Sequence, residues 1–498
     1  MQPDTYYLAF DLGATSIRGL LARLGPTEIS VEEVLRFRHK AQLVDGLLRW
    51  DLASIYREIH NCIDRLPRVD LIGIDSWGVD FGLVSTGPQD ADTLPINRIV
   101  EAPVCYREPS HEQGLAKVLS HFSREELYAR SGNQVLAINS LAQIASRAAE
   151  LNRRAEADSW ALLPFPDLIA FCLTGELGAE ESMLSTTMFY DPQEREIIAD
   201  FLRAVDFHPE RIAERRLAGQ FLGRTHPALF GGRGIPVVTV LGHDTAGAFL
   251  LSEAFSNPQC AFLSCGTWSL LGAGLPQALR QPAAAELNLS HELSAFGSIY
   301  AVKNLTGLYW IERLRQSLGD QAPDFAELNV QLAGRKSGFH IDTEDSHLLQ
   351  QDDLFSALQE LAAEQGQSLD ATDAHLLLYD SLVARYVSEI QALKLLCKRE
   401  FTRLHVVGGG SKSEVFMQKI ADATGLEVLA GPAEASALGN LVMQLYAFEQ
   451  RAGDFSAGST DSPPNWELLE RCRERYRNLE TVRVYKPGTV PDSIVSKK

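Results

Sequence analysis

The sequence predicts an α/β protein built from two related domains, and three observations carry that prediction. The first is an echo. An apolar run ends in a small-residue turn at Tyr7-Leu8-Ala9-Phe10-Asp11-Leu12-Gly13-Ala14-Thr15-Ser16, and again at Cys260-Ala261-Phe262-Leu263-Ser264-Cys265-Gly266-Thr267-Trp268-Ser269. Each turn leads straight into a second apolar run, Ile17 to Leu21 and Leu270 to Ala273. The second observation is that strand-type and helix-type periodicities alternate through the first half. The third is length: 498 residues exceed what one core supports, so two domains of about 250 residues each are expected. The boundary falls near 245–258, where Asn257-Pro258 punctuates the chain, giving domains 1–248 and 249–498.

In the first half, 6–12, 17–23, 70–75 and 79–84 read as strands, and the apolar Asp-Leu-Ile-Gly-Ile-Asp run at 70–75 reads as buried on both faces. Helical periodicity covers 51–66, 123–130, 140–152 and 194–205. Pro236 to Leu241 is a further central strand, ending at Gly242. The second half opens with the repeated strand–turn–strand, then a helix from about 304 to 318 and a polar, acidic stretch over 319–370 with helices of its own. A long amphipathic helix is expected over 373–398, followed by strand 404–407, helix 413–424, strand 427–430 and a helix from about 434 to 449. The Gly/Ser/Pro-rich segment 452–465 reads as a loop before a last helix at 466–480.

Composition narrows the function. A net charge of −19 argues against general nucleic-acid binding, and any anionic ligand must be held by local donors against the mean field. Seven cysteines without a CxxC pair read as buried thiols of a reducing compartment. The N-terminus lacks a basic leader region, and the uncharged stretch 259–279 is broken by Gly266, Gly272, Gly274 and Pro276, so a cytoplasmic protein without membrane contact is expected.

Five segments could carry chemistry, and each also has a plain structural reading. Glycines with hydroxyl neighbours in the turns at Gly13 and Gly266 present backbone amides and hydroxyls to an anion, or they are simple hairpin turns. Asp11 at a strand end could hold a hydrated Mg²⁺. In Gly242-His243-Asp244-Thr245, Asp244 sits where a central strand meets a helix and could accept a hydroxyl proton, or it caps that helix. Gly408-Gly409-Gly410-Ser411 before a helix suits adenosine or its phosphates, or is a flexible turn. In Asp75-Ser76-Trp77-Gly78-Val79-Asp80, an apolar ring and two carboxylates suit a sugar, or they are a core tryptophan and two solvated acids.

Taken together and in order, these segments resemble the FGGY family of carbohydrate kinases. The resemblance extends to Lys303-Asn304-Leu305-Thr306-Gly307-Leu308 and to Ala430-Gly431-Pro432-Ala433-Glu434-Ala435-Ser436-Ala437-Leu438-Gly439-Asn440. Within the family, the Trp-Gly-Val-Asp and Gly-Thr-Trp-Ser-Leu segments resemble the branch acting on L-rhamnulose, and kinases of L-fuculose share the Gly-His-Asp-Thr element. The resemblance implies two RNase H-like domains of the actin-like ATPase type around a central cleft, with ATP as co-substrate and Mg²⁺ as cofactor. It implies transfer of the γ-phosphate to the 1-hydroxyl of a deoxy-ketose, with Asp244 as general base and Gly78, His243, Asp244, Thr245 and Asn304 at the sugar. Ala14, Thr15, Ser16, Ile17, Arg18, Thr267, Glu312 and Gly409 would contact ATP, and Asp11 would face the metal through water. The expected partners are a small sugar and ATP, neither nucleic acid nor membrane, in a monomer or homodimer. Three departures stand out: Cys265 for a serine, Tyr106-Arg107-Glu108 for Tyr-Arg-Asp, and His291-Glu292-Leu293-Ser294 where Asn-Glu-Gly-Gly is usual.

Overall fold

A computed structural model of the chain describes residues 4–25, 28–88, 90, 93–157, 159–456, 463–477, 479 and 481–489. The chain forms two compact units. The first comprises Met1–Leu251, Leu275–Tyr300 and Ser436–Leu479; the second comprises Ser252–Gly274, Ala301–Ala435 and Glu480–Lys498. Each unit is therefore assembled from separated stretches, whereas the sequence reading divides the chain once, after residue 248.

The first unit is built on six strands: β1 (Thr5–Leu12), β2 (Ser16–Leu24), β3 (Ile29–Arg38), β4 (Leu71–Ser76), β5 (Phe221–Arg224) and β6 (Pro236–Val238), in the spatial order β5-β6-β4-β1-β2-β3. β1 and β2 form an antiparallel hairpin with Asp11 opposite Arg18. β4 lies parallel to β1 on its other side, with Asp11 beside Asp75 and Leu12 beside Ser76. All six residues of β4 are buried, as its unbroken apolar run requires for a strand covered on both faces. One covering element is the helix Ala435–Gln450, where the amide of Asn440 reaches Asp75 and that of Gln444 reaches the Leu8 carbonyl. A Cβ on Gly73 would collide with the Asn440 side chain, so a glycine in mid-strand lets this helix approach.

The second unit carries β7 (Cys260–Cys265), β8 (Trp268–Leu275), β9 (Ile299–Thr306), β10 (Arg403–Val407), β11 (Glu427–Ala430) and β12 (Arg483–Tyr485), in the order β9-β8-β7-β10-β11-β12. β7 pairs antiparallel with β8 and parallel with β10; β11 is parallel to β10 and antiparallel to β12. From β8 to β12 this repeats the first unit: a hairpin, a parallel neighbour of its first strand, a second parallel strand and an antiparallel edge; beyond β9 the sheet adds Ser290–Leu293 as a seventh strand. The echo in the sequence marks the hairpin of each copy.

Most expected elements form within a residue or two of their predicted ends, including helices Leu52–Arg65, Arg124–Ser131, Ala371–Cys397 and Glu414–Thr424. Two helices are shorter than expected. The 194–205 pattern yields only Ala199–Ala204, because Glu196–Ile197 pairs as a short hairpin with Tyr190–Asp191. The helix expected from 304 begins at Tyr309, because residues up to Thr306 continue β9. Within the acidic stretch 319–370, helices Phe325–Gln331, Ser346–Leu349 and Leu354–Glu364 form. Part of the expected loop 452–465, residues 457–462, lies outside the described residues, as do residues 478 and 480 of the expected last helix.

Candidate active site

The turn between β1 and β2 is closed by the Gly13 amide, which donates to the Ser16 carbonyl at 3.0 Å, while the Gly13 carbonyl lies 2.8 Å from His39 Nε2. Asp11 ends β1 with only 2 % of its side chain exposed, and Arg18 Nη2 donates to its Oδ2 at 2.8 Å. The two residues assigned to metal and nucleotide therefore hold each other. Thr15 is exposed, Ala14 and Ser16 are half-buried, and the Ile17 side chain is buried in the core. Asp75, 1 % exposed at the end of β4, accepts from Asn440 Nδ2 at 2.7 Å through Oδ2, whereas its Oδ1 has no hydrogen-bond partner. Burial, with the charges of Asp11 and Asp244 added, holds the Asp75 carboxyl well above the usual carboxylate range.

Beyond β6 the chain is pinned before it enters the helix Asp244–Leu251. The Gly242 carbonyl accepts from the Ser76 amide at 2.8 Å, and the Gly242 amide donates to Glu180 Oε2 at 2.9 Å. The His243 amide donates to Ser182 Oγ at 3.0 Å, and Ser182 in turn donates to Glu180. Burial pushes Glu180 up to about 7, against the hydrogen bonds from Ser182 and Gly242. Asp244, the first residue of its helix and 27 % exposed, receives the Thr245 amide at 2.6 Å and hydroxyl at 3.1 Å, both on Oδ1.

His243 is buried between two acids. Its Nδ1 lies 3.1 Å from Glu292 Oε2, and its Nε2 lies 3.5 Å from Asp244 Oδ1. Tyr300 donates its hydroxyl to the same Glu292 oxygen at 2.7 Å. Burial opposes a charge on the imidazole, but the charge and hydrogen bond of Glu292 outweigh it and raise its pKa above the ordinary value. Burial raises Asp244; the neighbouring His243 charge offsets part of that, and Asp11 adds to it.

The tryptophan segment turns out differently from its sugar-facing reading. Trp77 is 8 % exposed and packs among Trp50, His39 and Phe165, with ring centroids 4.6, 5.9 and 4.8 Å away. Its indole donates to Asp80 Oδ2 at 2.8 Å, as does that of Trp50 at 2.6 Å, and Gln143 fills Oδ1 at 3.0 Å. Of the second reading, the core tryptophan is realised and the solvated acids are not: Asp75 and Asp80 are both buried. What the segment offers outward is the half-buried backbone at Gly78 and Val79, where Val79 sits at φ 69°. A β-branched residue in that region is strained, and bonds from its amide to Thr186 Oγ1 (3.0 Å) and to its carbonyl from Ser140 Oγ (2.5 Å) hold it there.

In the second unit, the glycine turns at 266 and 408–410 come together because β7 and β10 run parallel, with Ser264 beside Val407. Gly408 adopts φ 84°, and a Cβ there would stand 2.8 Å from the Cys265 carbonyl. The Gly266 carbonyl accepts from the Leu308 amide at 2.9 Å, and the Thr267 carbonyl from those of Gly307 and Tyr309, each at 3.2 Å. The start of the helix Tyr309–Leu318 is thus laid against the turn. Thr267, Gly409 and Glu312 are exposed around it, with Trp268 43 % exposed beside them. Asn304 is half-buried, and its Oδ1 lacks a partner.

The structure therefore gathers Asp11, Arg18, His243, Asp244 and Thr245 with Asp75 at neighbouring strand ends of the first unit, near the turn at Ala14–Ser16. It places Thr267, Gly409, Glu312 and Asn304 in the second. Three residues are new to the site: Glu180, Glu292 and Tyr300. Their one signal in sequence is the unusual His291-Glu292 pair. Along the strand Ser290–Leu293 the two side chains part: His291 Nδ1 meets the Gly132 carbonyl at 2.8 Å, and burial drives its pKa down to about 4. Among the described residues, no group of three or more His, Cys, Asp and Glu is arranged to hold a metal ion, and the seven cysteines form no disulfide. No described helix is long and apolar enough to cross a membrane.

Residues 6–250 match the N-terminal domain of the FGGY family of carbohydrate kinases, and 261–448 its C-terminal domain. A rhamnulokinase of Bacteroides thetaiotaomicron is 31 % identical over 449 residues, covering 88 % of this chain and 90 % of that one. One of Klebsiella pneumoniae is 32 % identical over 455 residues, covering 89 % and 90 %. Among solved structures, glycerol kinase of Plasmodium falciparum with ADP superposes with a TM-score of 0.73 at 13 % identity, over 99 % of this chain and 96 % of that one. Xylulose kinase of Lactobacillus acidophilus does so with 0.70 at 13 %, over 99 % and 95 %. At these identities the likeness is one of fold, the two-domain actin-like ATPase type.

Proposed function

We propose that this chain, which belongs to the FGGY family of carbohydrate kinases and is a sugar kinase, transfers the γ-phosphate of ATP to the 1-hydroxyl of L-rhamnulose, with Asp244 as general base. The observation that carries the assignment of the base is the environment of Asp244. Thr245 and His243 all act on Oδ1, so Oδ2 is the oxygen available to a substrate hydroxyl. Burial raises its pKa toward the range where a carboxylate takes a proton readily, while its partial exposure leaves it reachable. The substrate rests on the curated relatives, which are rhamnulokinases over about nine-tenths of their length.

Phosphoryl transfer demands positioning and charge stabilisation more than covalent chemistry. Asp244 would align the sugar hydroxyl and take its proton as the oxygen attacks phosphorus. The turn amides at Ala14–Ile17 and the Gly409 turn would cradle the nucleotide, and Thr267 and Glu312 would flank it. Gly78, His243, Thr245 and Asn304 would meet the sugar. These local donors answer the net charge of −19. The donor chemistry suits Mg²⁺, which takes one or two carboxylates, keeps its water and completes its shell with phosphate oxygens. Asp11 offers a buried carboxylate at the strand end, Asp75 Oδ1 beside it lacks a partner, and no closed protein cage competes among the described residues. When bound, Mg²⁺ would neutralise phosphate charge. Six buried cysteine thiols suit action in the reducing cytoplasm.

The test is ADP release with L-rhamnulose, L-fuculose, D-xylulose, D-ribulose or glycerol as acceptor. L-Rhamnulose is expected to stimulate most; stimulation by L-fuculose instead would move the substrate, and none by any sugar would overturn the reading. Asp244→Asn should leave sugar affinity near that of the parent and lower kcat by about 10²–10⁴. Near-parental turnover in that variant would remove Asp244 from the role of base.

A further inference from the structure

Resting on the reading of Asp244 as the base, we propose that Glu292, supported by Tyr300, is a positioning residue for phosphoryl transfer: it fixes the His243 imidazole so that Nε2 presents an N–H to Asp244. The geometry is a relay of three contacts that runs from buried Tyr300 to the partly exposed Asp244. Tyr300 donates to Glu292 Oε2 (2.7 Å), Glu292 Oε2 meets His243 Nδ1 (3.1 Å), and His243 Nε2 faces Asp244 Oδ1 (3.5 Å). A carboxylate can only accept, so Nδ1 carries the hydrogen toward Glu292. A second carboxylate on the Nε2 side then favours a hydrogen there too. The ring is held between two acids, and its charge is compensated from both sides.

The neighbours support the assignment. Tyr300 stacks on Phe249 of the helix that begins at Asp244, with ring centroids 4.7 Å apart and planes at 19°, so the far end of the relay is fixed to the element carrying the base. On the backbone side, Glu180 and Ser182 pin Gly242 and His243. The charged and titratable groups acting on these residues are Glu292, Asp244 and Glu180 on His243, with the Tyr300 hydroxyl 3.5 Å from its Nδ1; His243, Asp11 and Asp75 on Asp244; and His243, Tyr300 and His291 on Glu292. Among them His243 is the group that favours the charged form of Asp244 most strongly. Loss of the Glu292 charge would weaken the imidazolium, remove that help and move the protonation of Asp244 to higher pH.

Glu292→Gln is expected to lower kcat at pH 7 by about tenfold to a hundredfold, leave the KM for ATP within about twofold, and shift the acid limb of kcat/KM to higher pH. Glu292→Asp should recover part of the rate, and Tyr300→Phe, which keeps the carboxylate, should shift the limb in the same direction by less. Should Glu292→Gln fail to fold, Tyr300→Phe and Glu292→Asp carry the test. Parental kcat and an unmoved acid limb in the folded variants would overturn the inference. Asp244→Asn measured alongside separates the two readings: retained turnover there defeats the base itself, whereas a dead Asp244→Asn with parental Glu292 variants defeats the relay alone.

Discussion

Asp80 shows how a carboxylate in a sugar-like motif can belong to the core. Two indole N–H groups and the Gln143 amide converge on it; Gln143 also reaches the Ile138 and Val79 carbonyls, so Asp80→Ala strands the two buried indole donors at about 1–3 kcal/mol each. A thermal melt of that variant should show a large loss of Tm; an unchanged Tm would contradict the keystone role. Glu180 makes a prediction in pH. Burial raises it to about 7, while an unfolded glutamate titrates near 4.3, so between those values the native state holds the extra proton. Stability from this group therefore falls as pH rises through that window. Relative to the parent, the Tm of Glu180→Gln should climb from pH 5 to pH 8, and a constant difference would refute this. The sequence could name Trp77 and Asp80 as notable but not place them, because the decisive partner, Trp50, is remote along the chain. Asp244, by contrast, was legible, since a strand-to-helix junction bearing His-Asp is a local pattern. Glu292 and Tyr300 reach His243 only through folding.

At the scale of elements, close backbone approach does what sequence patterns do not display. The helix bearing Asp244 meets the helix Ala435–Gln450 glycine against glycine: a Cβ on Gly439 would collide with the Gly247 carbonyl, and one on Gly247 would stand 3.1 Å from that of Ser436. Gly439→Val should therefore cost about 1–3 kcal/mol by forcing the helices apart, and should lower Tm and kcat together. Loss of neither would show that the contact tolerates separation. At its other end the Asp244 helix is capped from the helix Trp466–Arg477: buried Arg473 donates to the Leu250 carbonyl at 2.7 Å and Arg477 to that of Leu251 at 3.1 Å. Strands with unbroken apolar runs and helices with a clear 3.6 period were readable in advance. β3 was not, because the exposed Glu32, Glu33 and Arg36 interrupt its alternation. The helix Phe165–Thr174 escaped for the opposite reason: every residue is buried except half-buried Asp167, so no polar face sets a period.

For the whole molecule, the repeated turn at Gly13 and Gly266 proves to mark two copies of one topology, each with a hairpin and a parallel neighbour at the centre of its sheet. The duplication was visible in sequence because the turn geometry constrains residue type. That each unit recruits separated stretches of chain was not, since it follows from where the chain returns and not from local pattern. FGGY membership fixes the reaction class, and the proposed transfer to the 1-hydroxyl of L-rhamnulose makes a primary hydroxyl the acceptor. The most direct test is proton-coupled phosphorus NMR of the product made from ATP and L-rhamnulose. A phosphorus resonance split into a triplet by the two C1 protons, formed only while Asp244 is intact, is the predicted result. A doublet from phosphate on a methine carbon, or inorganic phosphate alone, would contradict it.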